Sequence, residues 1–489
     1  MFGDTSNYAN GVQLAVCVAL TAFIGLMTWL KVRQAKTHDG SSKDVFLAGG
    51  GLSWIFVAGS ITLTNLSTDQ LVGMNGNQMA LLAWWEIAGF FGLMTLAFVF
   101  VPLYYKHNCT TVTELLERRY GGRSIRTLIS ALFLLGNVLI YLPAALYSGG
   151  LFLQSLFGMN IDLLVFSVIL AVIAAAYTIF GGLRAVAVMD TYSGVGILGL
   201  ALLIVYLALA AVDFDIVTDV PPERLTMIGG ADSPIPFHTL FTGMLFIQIF
   251  YWSTNQNITQ RAMAAPTIKE ARKGVFAAAA IRILIVPPIV VLPGIVAYKL
   301  YGDVGDAAYG MLVADIMPVW LSGAFAAMVA AAVITTFSAV LNSTVALYSV
   351  DFHEQFIGKV DNHWRLGALM SVLATIVAIS LVPIYSSADS IINLLQELNG
   401  LLSMPILSAF IACLLFRGVD ARAAIVGVIW GVVLYGAFTF QLSPRGIINM
   451  HYIDFMVVVL VTSVLASLVA NRLIFGGRAE FVGFKKQPV

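Results

Sequence analysis

The sequence predicts an all-α membrane protein with about thirteen transmembrane helices. Hydrophobic residues fill 59% of the 489 positions and charged residues only 11%, whereas a soluble domain has about 25% charged residues. The apolar segments are long and continuous, and they do not alternate every second residue as barrel strands do. Because about 20 apolar residues cross a bilayer as a helix, we expect a multi-pass protein of the plasma (inner) membrane.

Composition and motifs exclude several other classes. A disordered chain would be poor in hydrophobic residues. The 26 basic and 26 acidic residues balance, so we expect no nucleic-acid partner. Cys17, Cys109 and Cys413 are too far apart in the sequence to indicate a metal cluster or a disulfide framework. No HExxH, Walker or dinucleotide motif occurs, so we expect no enzyme, and function must depend on polar residues inside the spans.

The predicted spans follow one another with short loops between them. The first span has no small-residue cleavage site after it, so we expect it to be retained. The polar stretches 213–236 and 351–364 have the length of loops rather than of domains. The predicted spans are residues 10–31, 52–79, 80–105, 124–157, 161–180, 186–212, 237–262, 273–301, 320–350, 365–386, 390–416, 421–441 and 450–474.

Basic residues predict the orientation, because cytoplasmic loops collect Lys and Arg. Four basic groups fall on one side if the spans alternate, and the acidic loop 213–223 falls on the other side with Asp303 and Asp306. We therefore expect the N-terminus outside and the C-terminus in the cytoplasm. The four groups are Lys31, Arg33, Lys36 and Lys43; Arg118, Arg119, Arg123 and Arg126; Arg261, Lys269, Arg272 and Lys273; and Arg472, Arg478, Lys485 and Lys486.

The second span contains a dense polar run at 60–70 that includes Asn65, Asp69 and Gln70. Such side chains compete with the hydrogen bonds of a helix. The run therefore predicts a broken helix, whose freed carbonyls can bind a cation. The alternative is an unbroken helix that packs on its neighbours through small polar residues.

The seventh span repeats this pattern at 248–256, five spans further along the chain. Two discontinuous helices five spans apart predict two five-helix inverted repeats, with the first helix of each beside a substrate. The alternative is coincidence together with an aromatic belt near a span end. The predicted units are 1–45 (an additional N-terminal helix and a cytoplasmic loop), 46–212 (first repeat), 213–236 (an external loop), 237–418 (second repeat) and 419–489 (two helices and a cytoplasmic tail).

Other polar residues lie inside predicted spans. Thr335 and Thr336 of the ninth span offer neutral oxygens, which suit Na⁺ better than Ca²⁺ or Mg²⁺, although such hydroxyls also bond back to their own helix. A charge in the bilayer costs about 3 kcal/mol or more. Glu86 and Arg282 can neutralise each other, or Arg282 can extend to the membrane interface. Asp190 opens the sixth span, and Gln396 lies early in the eleventh.

Seven motifs occur in one order along nearly the whole chain. They are DVFLAGG at 44–50; TNLS at 64–67 with DQ at 69–70; TIFGGL at 178–183 with AV at 185–186 and Asp190; YW at 251–252 with NQ at 255–256 and QR at 260–261; VLPG at 291–294; LNST at 341–344; and QE at 396–397 with Gly400. In this order they resemble the solute:sodium symporter family, in particular its sodium/sugar branch. The resemblance implies a LeuT-type fold and sodium-driven import of a sugar, such as galactose or glucose, by alternating access.

The resemblance also implies roles for individual residues. It assigns the coupling Na⁺ to the carbonyls of Leu63, Leu66 and Ala332 and the hydroxyls of Thr335 and Thr336, where close relatives have Ser. It assigns sodium release toward the cytoplasm to Asp190. Our own hypothesis is that Tyr251 is an inner gate. The implied sugar-binding residues are Asn65, Gln70, Glu86, Gln248, Tyr251, Arg282 and Gln396. A bacterial galactose relative has Asn at position 248 and Lys at position 282.

Several alternatives stay open at this point. The solute can be inositol, an amino acid or a carboxylate. Arg282 suits an anionic solute, whereas Glu86 opposes an anionic solute unless Glu86 and Arg282 pair with each other. A membrane sensor or a channel is a further alternative. The expected partners are a small sugar, Na⁺ and the lipid bilayer, and the sequence predicts no particular oligomeric state.

Overall fold

A computed structural model describes residues 5–33, 47–158, 161–360, 362–387 and 390–483 of the chain. Within this part, eleven helices are long and apolar enough to span a membrane. The predicted class, a mostly helical multi-span membrane protein, is therefore confirmed. The helices are α1 (Thr5–Arg33), α2 (Trp54–Asn65), α3 (Thr68–Gly76), α4 (Ala80–Lys106), α5 (Val112–Tyr120), α6 (Arg123–Phe157), α7 (Leu163–Leu183), α8 (Ala185–Ala211), α9 (Gly243–Ser253), α10 (Gln256–Met263), α11 (Ile268–Tyr301), α12 (Ala308–Ile316), α13 (Val319–Ile357), α14 (His363–Tyr385), α15 (Ile391–Leu415), α16 (Ala421–Leu442) and α17 (Tyr452–Leu473).

The remaining segments are short. Strands β1 (Phe416–Arg417) and β2 (Glu480–Phe481) form one antiparallel pair near the ends of α15 and α17. Short helical turns lie at Ala48–Gly50, Pro222–Leu225, Phe237–Phe241 and Gly305–Ala307. Wider turns with i→i+5 bonding interrupt α4 at Leu96–Phe100 and α6 at Asn137–Tyr141, and they form the ends of α13 at Leu347–Ile357 and of α16 at Phe438–Leu442.

Two of the predicted spans, the second and the seventh, each consist of two short helices. Their apolar halves, α2 and α9, contain 12 and 11 residues, too few to cross a bilayer alone. The break in the second span is thus observed, and the alternative of an unbroken packing helix is wrong. The total of thirteen spans and the inverted repeats remain predictions.

Each break coincides with residues outside the helical region of backbone space. Leu66 (ψ 67°) and Ser67 (ψ 179°) separate α2 from α3. Asn255 (ψ 124°) separates α9 from α10. Both breaks fall inside the polar runs that the sequence marks, where side chains compete with the hydrogen bonds of a helix.

Two further irregularities have identifiable causes. At the junction of α7 and α8, Gly182 adopts φ 55° and ψ −164°, a conformation that essentially only glycine accepts. In α11, Pro293 has no amide to bond the Ile289 carbonyl. The Asn75 side chain of α3 fills this gap, since its Nδ2 donates to the Ile289 carbonyl (3.3 Å) and its Oδ1 accepts from the Gly294 amide (2.8 Å).

The burial of the long helices shows which of them lie at the centre. The most apolar stretch of α13 is 89% buried, whereas that of α1 is 17% buried. Helix α13 packs along α7 and α8, and α2 packs against α8 and against α11. The first broken helix therefore lies inside the bundle, and α1 presents an apolar face suited to lipid.

The loops form two separate groups. Asp215 pairs with Lys299 (3.1 Å) and Arg224 with Asp303 (2.8 Å). Lys299 lies at the external end of the predicted span 273–301, and the other three residues lie in loops predicted to be external. Arg126 pairs with Asp351 (2.5 Å), both near ends predicted to be cytoplasmic. This grouping agrees with the alternation of spans, and the direction of insertion remains a prediction.

One orientation assignment is wrong in detail. Arg261, counted among the cytoplasmic loop cations, lies on α10 and is completely buried, because its polar partners are inside the bundle. Four other cations of the basic groups that predict the orientation lie outside the described residues. Residues 44–46, the beginning of the first motif, also lie outside them. These cations are Lys36, Lys43, Lys485 and Lys486.

Candidate binding sites at the helix breaks

The first break leaves two backbone carbonyls without their helical partners. In a continuous helix the amides of Ser67 and Gln70 would donate to the carbonyls of Leu63 and Leu66. Instead the Ser67 amide donates to the Asn65 carbonyl (2.7 Å) and the Gln70 amide to the Ser67 carbonyl (3.2 Å). The Leu63 and Leu66 carbonyls are thereby left available as hard oxygen ligands.

Helix α13 brings two hydroxyls into the same interior region, and they differ. Thr335 Oγ1 donates to the Ala332 carbonyl (3.1 Å), so the back-bonding alternative holds for this residue. Thr336 Oγ1 is buried and has no hydrogen-bond partner within the protein. A buried polar group is normally satisfied, and the Thr336 hydroxyl is free to bind a ligand.

Asp190 connects the break to α13. Its carboxylate is fully buried and accepts a hydrogen bond from Ser60 Oγ (2.7 Å), and the side chains of Thr64 and Thr335 lie beside it. On the same helix, a Cβ at Gly194 would lie 2.6 Å from the Leu63 side chain. Glycine at this position thus permits the close approach of α2 and α8.

A second buried charge in this region, Arg261, was not among the predicted site residues. Arg261 Nε donates to Ser60 Oγ (2.8 Å), and its Nη1 donates to the Asn257 carbonyl. All eight residues of α10 are buried. The signal was present in the sequence, since position 261 falls inside the predicted span 237–262, where a cation requires an explanation.

A second site is a cavity beside the first break, between α3, α9, α11 and α15. Six of the seven predicted sugar-binding residues line it, and the seventh, Glu86, lies behind Arg282. The six are Asn65, Gln70, Gln248, Tyr251, Arg282 and Gln396. Residues to which the sequence gave no predicted sugar-binding role complete much of the wall: Asp69, Trp85, Tyr141, Trp252 and Asn399.

Glu86 and Arg282 form a buried ion pair, with both side chains at most 1% exposed. Extension of Arg282 to the membrane interface is therefore wrong, and mutual neutralisation is what occurs. The guanidinium also lies over the Trp252 ring, 4.5 Å from its centroid, a favourable cation–π contact. Arg282 Nε and Nη1 have no partner within the protein, so they can still donate to a ligand oxygen.

The polar groups of the cavity divide into those already bonded and those that are available. Gln248 donates to the Trp85 carbonyl (2.7 Å) and accepts from Trp252 Nε1 (2.9 Å), so it positions these aromatic rings. Gln70 Oε1 and Asn65 Oδ1 are buried without a partner. The available atoms are thus amide oxygens, which can accept from the hydroxyl groups of a ligand, and the Arg282 nitrogens, which can donate to them.

Tyr251 and Tyr141 connect the cavity wall across helices. Asn65 Nδ2 donates to Tyr251 Oη (3.0 Å), which links the first break directly to α9 of the second broken helix. Tyr141 Oη donates to Asn399 Oδ1 (2.5 Å). Nothing in the local sequence pattern of Tyr141 and Asn399 predicts this pair, because the residues are 258 positions apart.

Two discontinuous helices that flank a small polar cavity and a set of free oxygens define the class of secondary transporters. Residues 45–431 match the sequence profile of the sodium:solute symporter family. The chain belongs to this family. Its relatives are transporters rather than enzymes, and the family implies Na⁺ as the coupling ion.

Two relatives match over most of their length. The uncharacterized symporter YidK of Escherichia coli (strain K12) is 34% identical over 453 residues, which cover 87% of this chain and 78% of that protein. The sodium/glucose cotransporter of Vibrio parahaemolyticus is 28% identical over 467 residues, which cover 87% and 85%. These matches agree with the resemblance that the motifs indicate.

A solved structure is similar to the whole chain. It is the substrate-bound, outward-open state of a Na⁺-coupled sialic acid symporter, with a TM-score of 0.78 at 19% identity, covering 96% of this chain and 99% of that one. This likeness confirms the fold that the resemblance implies.

Proposed function

We propose that this protein is a sodium-coupled symporter that imports a neutral polyhydroxylated solute, with a hexose such as galactose or glucose as the first candidate. The observation that carries the proposal is that the cation of the cavity is already neutralised and that most of its other polar wall residues are uncharged. Its cation, Arg282, is paired with Glu86, and the other polar wall residues are amides, a tyrosine pair and Asp69. Amides bind hydroxyl groups, and aromatic rings cover the apolar face of a sugar.

The proposed Na⁺ ligands are the carbonyls of Leu63, Leu66 and Ala332 and the hydroxyls of Thr335 and Thr336. The two carbonyls that lose their helical partners and the unpartnered Thr336 hydroxyl support this set. Asp190 lies beside Thr335, in a position to receive the ion as it leaves toward the cytoplasm.

Sodium supplies enough free energy for accumulation. One Na⁺ that enters down about 100 mV gains about 2.3 kcal/mol, and a tenfold gradient adds about 1.4 kcal/mol. Together these sustain a several-hundred-fold solute gradient. Because the proposed ion joins α2 to α13, its binding favours the arrangement of the two helices that admits solute, which is the coupling that symport requires.

In the solute site, the proposed contacts to the solute are Gln70, Gln396 and Asn65. Glu86 and Arg282 are proposed to remain a fixed ion pair. Gln248 is proposed to orient the rings of Trp85 and Trp252. Tyr251 is the proposed inner gate. Its hydrogen bond to Asn65 means that movement of the ring changes the wall of the cavity and the first break together.

The test is uptake into proteoliposomes of labelled glucose, galactose, myo-inositol, amino acids and carboxylates, with and without an imposed Na⁺ gradient. We expect hexose uptake that requires the gradient. Thr335→Ala should weaken the response to Na⁺. Gln396→Ala should raise the half-saturating sugar concentration about fivefold, as expected for one lost hydrogen bond, with a smaller change for Na⁺. Gln441→Ala, an exposed glutamine of α16, is the matched control.

Uptake that is indifferent to Na⁺ contradicts symport, and a larger effect of Gln396→Ala on Na⁺ than on sugar contradicts the division of roles.

A second candidate is symport of a carboxylate, which the two unpartnered Arg282 nitrogens favour. The same uptake panel decides between them, because carboxylate uptake without hexose uptake would replace the sugar proposal.

A further inference from the structure

Among the described residues that line the solute cavity, Asp69 is the only carboxylate. It lies in the first turn of α3, next to Gln70. Its side chain is partly accessible, whereas that of Glu86, behind the cavity wall, is completely buried. Asp69 is therefore the carboxylate that a solute in the cavity meets.

The charge of Asp69 needs an explanation, because a carboxylate inside a membrane protein is costly. Its position at the N-terminus of α3 offsets part of this cost, since the helix dipole there favours a negative charge. The Ser67 hydroxyl also donates to Asp69 Oδ1. An asparagine would accept the same hydrogen bond without a charge, so the local structure of the break does not require a carboxylate.

No cation neutralises Asp69 within the part of the chain that the structure describes. The cation of the cavity, Arg282, forms its ion pair with Glu86. Glu86 acts on Asp69 electrostatically as a second carboxylate, and the phenol groups of Tyr141 and Tyr251 also lie within its electrostatic range. The cavity thus keeps one negative charge in excess.

This excess charge acts on any solute that carries a charge of its own. At a separation of about 6 Å and an effective dielectric constant of about 20, two like charges change a binding constant by about 100-fold. A solute carboxylate would be repelled, and a solute ammonium group would be attracted. A neutral hydroxyl group is not repelled, and it can donate to the accessible carboxylate of Asp69.

We propose that Asp69 sets the charge selectivity of the cavity, so that it admits neutral and ammonium-bearing polyols and excludes carboxylates. The inference rests on the proposed import of a polyhydroxylated solute. It decides between that solute and the carboxylate that the free Arg282 nitrogens favour.

The test compares three sugars that share one ring and differ in charge: glucose, glucosamine and glucuronate. Each competes with labelled glucose for Na⁺-dependent uptake into proteoliposomes that contain the wild-type protein. We expect glucuronate to need a concentration about tenfold or more above that of glucose for half-inhibition, and glucosamine to need no more than glucose. Equal inhibition by glucose and glucuronate overturns the inference. A wild-type protein with no Na⁺-dependent hexose uptake contradicts the proposed function and removes the premise of the inference.

Substitution then assigns the selectivity to Asp69. In Asp69→Asn, which keeps the acceptor for Ser67, glucuronate should improve about tenfold relative to glucose, because the free Arg282 nitrogens then attract it unopposed. Glucosamine should become weaker in the same variant. These opposite shifts distinguish a lost charge from a changed cavity shape, which would not reverse its effect with the sign of the solute charge.

Two further variants serve as controls. Asp69→Glu keeps the charge and should keep the wild-type order of the three sugars. Glu223→Gln removes an exposed carboxylate of an external loop and should leave the ratios unchanged. If Asp69→Asn does not fold, Asp69→Ser removes the same charge and should show the same two shifts. A neutral variant that takes up glucose with the wild-type ratios overturns the inference and leaves sodium symport intact.

Discussion

The two broken helices differ in how the backbone at each break is satisfied. At the first break Ser67 does not cap α3; its hydroxyl donates to Asp69 instead, and the Leu63 and Leu66 carbonyls keep no helical partner. At the second break the Asn255 side chain accepts from the Asn257 amide (3.0 Å) and so caps α10. The amides of Thr254 and Asn255 both donate to the Phe250 carbonyl (3.0 and 3.1 Å).

The difference teaches that two similar polar interruptions can have different uses. The first break leaves acceptors open, so it is suited to bind an ion. The second break is closed by its own side chains, so it holds Tyr251 and Trp252 against the cavity and carries Arg261 on the helix that follows. Three substitutions test this contrast, and the expected effects decrease in order.

The largest effect is expected at the open break, from Thr336→Val. Valine keeps the shape and burial and removes the unpartnered hydroxyl. If that hydroxyl binds Na⁺, the loss of a contact to a charged group, about 1.5–3 kcal/mol, raises the half-maximal Na⁺ concentration about 10- to 100-fold. Measurements of sodium-dependent uptake and of ²²Na⁺ binding give this half-maximal Na⁺ concentration.

Thr375→Val is the matched control, because its hydroxyl bonds the Ser371 carbonyl in the distant helix α14. An unchanged Na⁺ response in Thr336→Val, with full expression, would remove the main support for an ion at the first break.

A smaller effect is expected from removing the cap of the closed break. Asn255→Ala leaves the Asn257 amide without its partner and should lower the free energy of unfolding by about 1 kcal/mol. Ser67→Ala removes no cap and should lower it less. Thermal unfolding of the two variants in the same detergent compares them, and equal losses of stability would show that the breaks do not differ in this way.

The smallest expected effect is on the pH dependence of stability, and it comes from Asp306 at the far end of the first broken helix. Asp306 packs against Gly76 of α3 and accepts a hydrogen bond from the Ile391 amide (3.0 Å). Burial raises the pKa of Asp306 to about 6, above its unfolded value of about 3.9. The folded protein therefore binds more protons between these values, so this group makes folding more favourable as pH falls through 6.

Asp306→Asn removes the titrating group and should shrink the gain in melting temperature between pH 7.5 and pH 5.5. The amide keeps an oxygen that accepts from the Ile391 amide, so the variant preserves the contact at both pH values. A pH response of unchanged size in the variant would assign that response to other groups.

Much of the site was predictable from the sequence because its residue types are rare in a bilayer. Polar runs marked both breaks, and the isolated charges Glu86, Asp190 and Arg282 marked positions that require partners. The identity of the partners was not predictable. The choice between an interfacial and a paired Arg282 depends on Glu86, which is 196 residues away, and no local pattern encodes such a contact.

The sequence by itself determined the class of protein, the approximate spans, the positions of the helix breaks and the membership of a sodium-coupled family. These properties follow from solvation and from helix propensity, which act over about 20 neighbouring residues. Only the tertiary structure decided that Thr336 is unpartnered while Thr335 is bonded, that Arg282 is neutralised, and that Arg261 is buried beside Asp190. The satisfaction of a buried polar group depends on atoms that distant segments bring within hydrogen-bonding distance, and packing alone sets those distances.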